Sequence, residues 1–96
     1  MINQVLDHTG KEVIIEAFHP GEFLLDEIEE RGLRKKEAAV ELEILPHHLS
    51  EIFAGKRNIS AKLAIRLEKL LDISAEYWLG MQMEYDLQVA RKAVTN

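Results

Sequence analysis

The chain has 96 residues, of which 47% are apolar and 30% charged, a composition that fits one small domain with a short appendage and excludes disordered and fibrous classes. The absence of cysteine excludes disulfides, thiolate metal ligands and a cysteine nucleophile. No stretch reaches the roughly 18 apolar residues that a membrane span requires, so we expect a cytoplasmic protein with no membrane partner.

The net charge of −5 conceals a basic middle segment. Residues 1–30 carry −7 and residues 70–96 carry −2, whereas residues 31–69 carry +4 from nine basic and five acidic residues. At physiological salt, exposed charges interact over only about 8 Å, so the local charge of a face decides what that face attracts. Charge alone leaves two interpretations open, which are a nucleic-acid-binding face and an ordinary solvated helical surface.

The N-terminal segment and the first helix come first in chain order. Residues 13–15 are a β-branched run, which predicts a short strand that would need a pairing partner; an unstructured tail is the alternative. The first helix is predicted to begin near Pro20, because proline suits the first helical position. Gly32 suits its C-terminal exit.

Four more helices follow. Residues 35–42 and 46–54 predict two short helices, and Gly55 ends the second of them. Ser60 and Ser74 are suitable N-caps for a fourth and a fifth helix. The predicted buried residues of these helices are Ala38, Ala39 and Leu42, then Leu49, Ile52 and Phe53, then Leu63, Leu67, Leu70 and Leu71, and finally Trp78 and Leu87.

The second and third predicted helices form the informative pair. Two short helices joined by about three residues, 43–45, have the layout of a helix-turn-helix. In such a unit the first helix crosses the phosphate backbone of DNA and the second lies in the major groove. The first helix should therefore begin with cations, and the second should expose polar side chains near its N-terminus.

Both requirements are met. Three cations stand at the start of the first helix, where the helix dipole disfavours positive charge but a phosphate would favour it. We expect phosphate contacts from Arg34, Lys35 and Lys36, and from Lys56 and Arg57 in the loop after the third helix. We expect base contacts from His47, His48, Ser50 and Glu51, with Glu51 accepting from a cytosine amino group.

Several motifs resemble those of a known family. Residues 32–33 (GL), 37–39 (EAA), 49–52 (LSEI), 55–57 (GKR) and 59–60 (IS) resemble the Cro/C1-type (Xre) helix-turn-helix. Residues 19–22 (HPGE), 77–82 (YWLGMQ) and 85–87 (YDL) are similar to the HigA antitoxin group. The resemblance runs from about residue 19 to residue 90.

The resemblance implies a fold and a set of partners. It implies an all-α, five-helix, lambda-repressor-like domain at residues 19–96, with a C-terminal dimerisation helix, preceded by an arm at residues 1–18. It further implies a homodimeric antitoxin that binds double-stranded operator DNA, neutralises a RelE-like mRNA-cleaving toxin and represses its own operon.

The sequence departs from the family pattern at three places. The usual Ser/Thr-Gln opening of the second helix is replaced by Arg34 and Lys35. Glu43 stands where glycine is common, which leaves two alternatives open: a residue with a Cβ at positive φ, or a turn of slightly different geometry. The third helix opens with residues 45–48 (LPHH), without the serine or threonine cap and the glutamine or arginine that are typical of base readers.

Other functions are less well supported. The side chains of His47 and His48 point about 100° apart on a helix, so they do not predict a metal site. The sequence has no catalytic triad and no phosphate-binding glycine loop that would indicate an enzyme, a cofactor or a small-molecule substrate. Two alternatives stay open, a stand-alone Xre-type repressor without a toxin and a protein-binding inhibitor with little DNA affinity. The arm is a candidate toxin-binding surface. The carboxylates of the first helix are most simply its solvent-exposed face, although their grouping would also suit a basic toxin surface; they are Asp26, Glu27, Glu29 and Glu30.

Overall fold

The structure, a computed structural model, describes residues 4–6, 12–14 and 17–95. The described elements are β1 (Gln4–Leu6), β2 (Glu12–Ile14), α1 (Pro20–Glu30), α2 (Lys35–Glu41), α3 (Pro46–Phe53), α4 (Ala61–Leu71) and α5 (Ala75–Thr95). The predicted five-helix, all-α body is confirmed, and each helix begins within a residue of its predicted start. None of the described helices is long and apolar enough to cross a membrane.

The two strands form a small antiparallel hairpin ahead of the helices. Val5 pairs with Val13, and the flanking pairs join Gln4 to Ile14 and Leu6 to Glu12. The strand predicted at residues 13–15 is therefore present at residues 12–14, while residue 15 lies outside the described residues. The partner that this strand needs is β1, which the sequence did not predict.

Capping side chains fix where three of the helices begin. The hydroxyl of Ser60 accepts a hydrogen bond from the Leu63 N–H at 3.2 Å, and the hydroxyl of Ser74 accepts from the Tyr77 N–H at 3.1 Å. Both predicted caps are confirmed. At the start of α1 the ring of His19 takes this role, because its Nδ1 accepts from the Gly21 N–H at 2.9 Å.

Helices α1, α2 and α3 end in the same way. The residue after the C-cap adopts a left-handed conformation, at Gly32 (φ 69°), Glu43 (φ 57°) and Gly55 (φ 75°). The residue that follows then donates its N–H to a carbonyl five residues back, as Ile44 does to Ala39 at 3.0 Å. These are Schellman motifs, and they turn the chain sharply with the last carbonyls satisfied.

Helix α3 lies at the centre of the body. It packs against α1 and α2, while α4 packs against α5 and α5 returns to α1. The residues predicted to be buried in α2, α3 and α4 are buried, except that Phe53 and Leu70 are only partly so. Ala64 of α4 is also buried, which was not predicted, and Leu87 of α5 is only half-buried. Because α3 buries only Leu49 and Ile52 fully, its other side chains are left available at the surface.

Candidate nucleic-acid interface

The turn between α2 and α3 is built around Glu43. Its positive φ is the first of the two alternatives left open for this position. Arg66 of α4 reaches this turn, with Nε 3.3 Å from the Glu43 carboxylate and Nη1 donating to the Leu42 carbonyl at 3.4 Å. Arg66 thereby contacts both a side chain and a main-chain carbonyl of the turn.

The cations at the start of α2 make few and weak contacts with other groups of the protein. Arg34 is the N-cap residue but its side chain makes no capping bond, and its nearest carboxylate, that of Glu37, is 3.6 Å away and exposed. Lys36 is exposed. Lys35 places its Nζ 5.4 Å from the centre of the Phe53 ring, across the gap to α3. These charges remain free to meet an anion.

The outer side of α3 carries the residues expected to contact bases. His47 is exposed, and His48, Ser50 and Glu51 are half-buried. Leu45 occupies the N-cap position without a side-chain cap bond, which leaves the first N–H groups of α3 unbonded by a cap. The structure brings these four polar side chains onto one short helix, beside the loop that holds Lys56 and Arg57.

Glu51 and Arg57 form an ion pair that the sequence did not predict. Nε and Nη2 of Arg57 donate to the same Glu51 oxygen, Oε1, at 3.1 and 2.8 Å. The second carboxylate oxygen and Nη1 of Arg57 take no part in these bonds. The two side chains expected to contact a base and a phosphate separately are therefore coupled to one another in the free protein.

The same ion pair sets the charge of this face. The hydrogen bond from Arg57 lowers the pKa of the Glu51 carboxyl, which stays ionised. Partial burial, followed by the positive charge of Arg57, lowers the pKa of His48 below 6.5. His48 is consequently neutral at pH 7 and presents one hydrogen-bond donor and one acceptor, which suits contact with a base edge better than contact with a phosphate.

His19 and Gly21 position this face from behind. The His19 ring is 4% exposed; its Nε2 lies 3.4 Å from the Asn58 Oδ1, and the ring packs edge-on against Tyr85 of α5, with centroids 5.0 Å apart. A Cβ on Gly21 would overlap the carbonyl of Ile52, so the backbones of α1 and α3 meet there. In the sequence, both residues stand out only as part of the motif at residues 19–22.

Comparison with known proteins identifies the family. A helix-turn-helix family model, HTH_3, matches residues 24–78, more than half of the chain and all of α2 and α3. The chain belongs to the Xre-type helix-turn-helix family. In the part of the chain that the structure describes, no group of three or more histidine, aspartate or glutamate side chains could hold a metal ion.

Named members of this helix-turn-helix group include virulence-associated and antitoxin proteins. Virulence-associated protein A' of Dichelobacter nodosus is 43% identical over 70 residues, which are 72% of this chain and 61% of that protein. This chain therefore matches less than two thirds of that relative's length.

Two solved structures share the helix-turn-helix fold closely. The antitoxin HigA of Pseudomonas aeruginosa, solved with the higBA promoter, superposes with a TM-score of 0.76 at 37% identity, covering 81% of this chain and 86% of that chain. A putative antidote protein of a plasmid maintenance system from Nostoc punctiforme gives a TM-score of 0.79 at 28% identity, covering 84% and 89%.

Proposed function

We propose that this protein is a DNA-binding antitoxin that represses its own operon as a homodimer and is not an enzyme. The observation that carries the proposal is the α2–α3 unit, which combines free cations at the start of α2 with a polar outer face on α3. The HigA structure that this fold matches was solved with promoter DNA, which supports the same use of the unit here.

The two sets of side chains have different roles in this proposal. Phosphate contacts come from the cations, which act on any sequence. Base contacts come from the outer side of α3 in the major groove. The phosphate set is Arg34, Lys35, Lys36, Lys56 and Arg57, and the base-reading set is His47, His48, Ser50 and Glu51.

Helix α5 supplies the dimer contact. Its apolar residues Met83, Val89 and Val94 are exposed, Val94 to 85%, and the last two follow Gln88, the last buried residue of α5. A twofold interface would bury them, and twofold dimers place two recognition helices on half-sites about 34 Å apart. Residues 19–96 then form the DNA-binding and dimerising domain.

The arm, residues 1–18, is our candidate for toxin binding. The hairpin of β1 and β2 has only two strands, and each strand leaves one edge unpaired within the described residues. Such an edge can add to the sheet of a partner. Deleting residues 1–16 should abolish neutralisation of the RelE-like toxin while preserving DNA affinity; a deletion variant that still neutralises the toxin would exclude the arm.

Fluorescence anisotropy tests the DNA-binding part of the proposal. The labelled duplexes are the region upstream of the protein's own reading frame and a scrambled sequence of equal length, each measured over a salt series. Lys56→Ala should weaken binding to both duplexes and reduce the salt slope by about 1, whereas His47→Ala should weaken only the selective binding. Equal effects of both variants on both duplexes would contradict this division of roles.

Two further outcomes separate the alternatives. Selective DNA binding without capture of the product of an adjacent gene would favour a stand-alone repressor. Capture of that product by a protein with no selectivity for the upstream DNA would favour a protein-binding inhibitor.

A further inference from the structure

A cationic cavity lies between the first turn of α3 and the first half of α4, next to Ile44 of the α2–α3 turn. Its volume is about 310 Å³. Its polar lining consists of His48 from α3, Arg57 and Asn58 from the loop, and Ser60, Lys62 and Arg66 from the start of α4. Three of these side chains are cations, and none of the described residues that line the cavity is acidic.

Both arginines of the cavity can bind an anion without giving up their present partners. Arg57 holds Glu51 through Nε and Nη2, and Arg66 holds the α2–α3 turn through Nε and Nη1. A guanidinium carries five N–H groups, so Nη1 of Arg57 and Nη2 of Arg66 are left to donate. Lys62 is exposed at the same opening.

A neighbouring cavity provides the contrast. It has a volume of about 510 Å³ and lies along α4 on the side of the C-terminal end of α2. It shares Lys62 and Arg66 with the first cavity and adds Lys69, but Glu41 and Glu43 also line it. The carboxylates that pair with the arginines of the smaller cavity lie outside its lining, whereas those of the larger cavity line it, so an anion would meet less repulsion in the smaller cavity.

We propose that Lys62 and Arg66, together with Arg57, bind a backbone phosphate of DNA on the α4 side of the recognition helix. This inference rests on the proposed function, because it places α3 in the major groove. The cavity opens beside His48, in the first turn of α3, where the bases are read. The cations at the start of α2 do not line this cavity, so the cavity would add a phosphate contact separate from theirs.

The test compares two lysines of the same helix. Lys62→Ala removes a cation from the smaller cavity, and Lys69→Ala removes one from the larger cavity only, with the same change in helix propensity. The purified full-length variants are titrated against the scrambled and the upstream duplex by anisotropy over a salt series, after thermal melting has verified that both are folded.

Lys62→Ala should weaken binding to both duplexes roughly threefold to tenfold and lower the salt slope by about 0.9, whereas Lys69→Ala should leave both unchanged. Equal effects of the two substitutions, or no effect of Lys62→Ala, would overturn the site. Binding to the scrambled duplex tests the phosphate site even if the wild-type protein shows no selectivity between the two duplexes. A lack of selectivity would refute the proposed repressor function and not the phosphate site.

A scan of single neutral methylphosphonates along one half-site identifies the source of the phosphate. At one position the neutral linkage should weaken the wild-type protein but not Lys62→Ala, because the contact is already lost in that variant. If every position weakens both proteins alike, the cavity does not hold a phosphate of the duplex.

Discussion

The inner side of α3 is tightly packed, whereas its outer side is polar and largely accessible to solvent. On the inner side, Leu49 and Ile52 are fully buried, and the backbone meets that of α1 at Gly21 with no room for a methyl group. On the outer side, the polar residues make few contacts within the protein, and the Glu51–Arg57 ion pair is about half exposed. The inner side fixes where the recognition helix lies, and the outer side is available for what it binds.

The difference between the two sides predicts whether a substitution changes stability or DNA binding. Changes on the inner side alter packing at native density and should lower stability. Changes on the outer side should alter DNA binding at little cost in stability, because exposed ion pairs contribute little.

Gly21→Ala should have the largest effect. The added methyl group would overlap the Ile52 carbonyl, which belongs to a helix backbone and cannot move aside as a side chain could. We expect a loss of about 3 kcal/mol or more in the free energy of unfolding, measured by urea denaturation. Gly80→Ala is the matched control, because nothing lies within 4 Å of its added methyl; it should gain up to about 1 kcal/mol. Similar changes in unfolding free energy for the two variants would contradict the close approach of the α1 and α3 backbones at Gly21.

His19→Ala should cost less, about 1–2 kcal/mol. The substitution removes the cap of α1 and the ring contact with Tyr85, and a lost cap alone typically costs about 1 kcal/mol. His19→Asn should recover the capping part only, because asparagine caps well but lacks the ring. His47→Ala, at an exposed position, should leave the melting temperature unchanged. A fully stable His19→Ala protein would contradict this role.

Glu43→Gly tests the turn that joins the two sides. Glycine adopts positive φ without the penalty that a Cβ carries, of about 1 kcal/mol, whereas the exposed ion pair with Arg66 contributes less. A gain of roughly 0.5 kcal/mol in thermal unfolding is expected. Glu41→Gly, inside α2, should instead lose about 1 kcal/mol. If Glu43→Gly also loses stability, the contact with Arg66 outweighs the backbone strain.

The smallest effect concerns the protonation of His48. Its pKa is lowered in the folded state by burial and then by Arg57, so its contribution to stability is present above 6.5 and is lost as the pH falls below that value. An NMR titration should give an imidazole midpoint below 6.5. Arg57→Ala should move the midpoint upward but not above 6.5, since burial remains. A midpoint at or above 6.5 in the wild-type protein would contradict the assignment.

The sequence predicted the helical body well because local signals are sufficient there. Apolar residues at helical spacing, two serine caps and the glycines at positions 32 and 55 determine where the helices begin and end. The left-handed Glu43 was one of two alternatives that the family pattern left open, and the structure shows that it applies. These features depend on neighbours in the chain.

The features that the sequence did not predict depend on tertiary contacts. Nothing about Gly21 in sequence indicates that the backbone of α3 passes beside it, and histidine is not a usual N-cap residue. The Glu51–Arg57 pair joins residues six apart across a helix end, where no helical spacing applies. Lys62 and Arg66 read as ordinary solvated charges of α4 until the fold places a cavity between them and α3.

The order of packing along the chain has a consequence for how the protein forms. Helix α2 packs on α3 and α4 packs on α5, so much of the body joins elements that are consecutive in sequence. Domains rich in such local contacts fold within microseconds to milliseconds. A newly synthesised chain should therefore fold in far less time than the seconds that its synthesis takes.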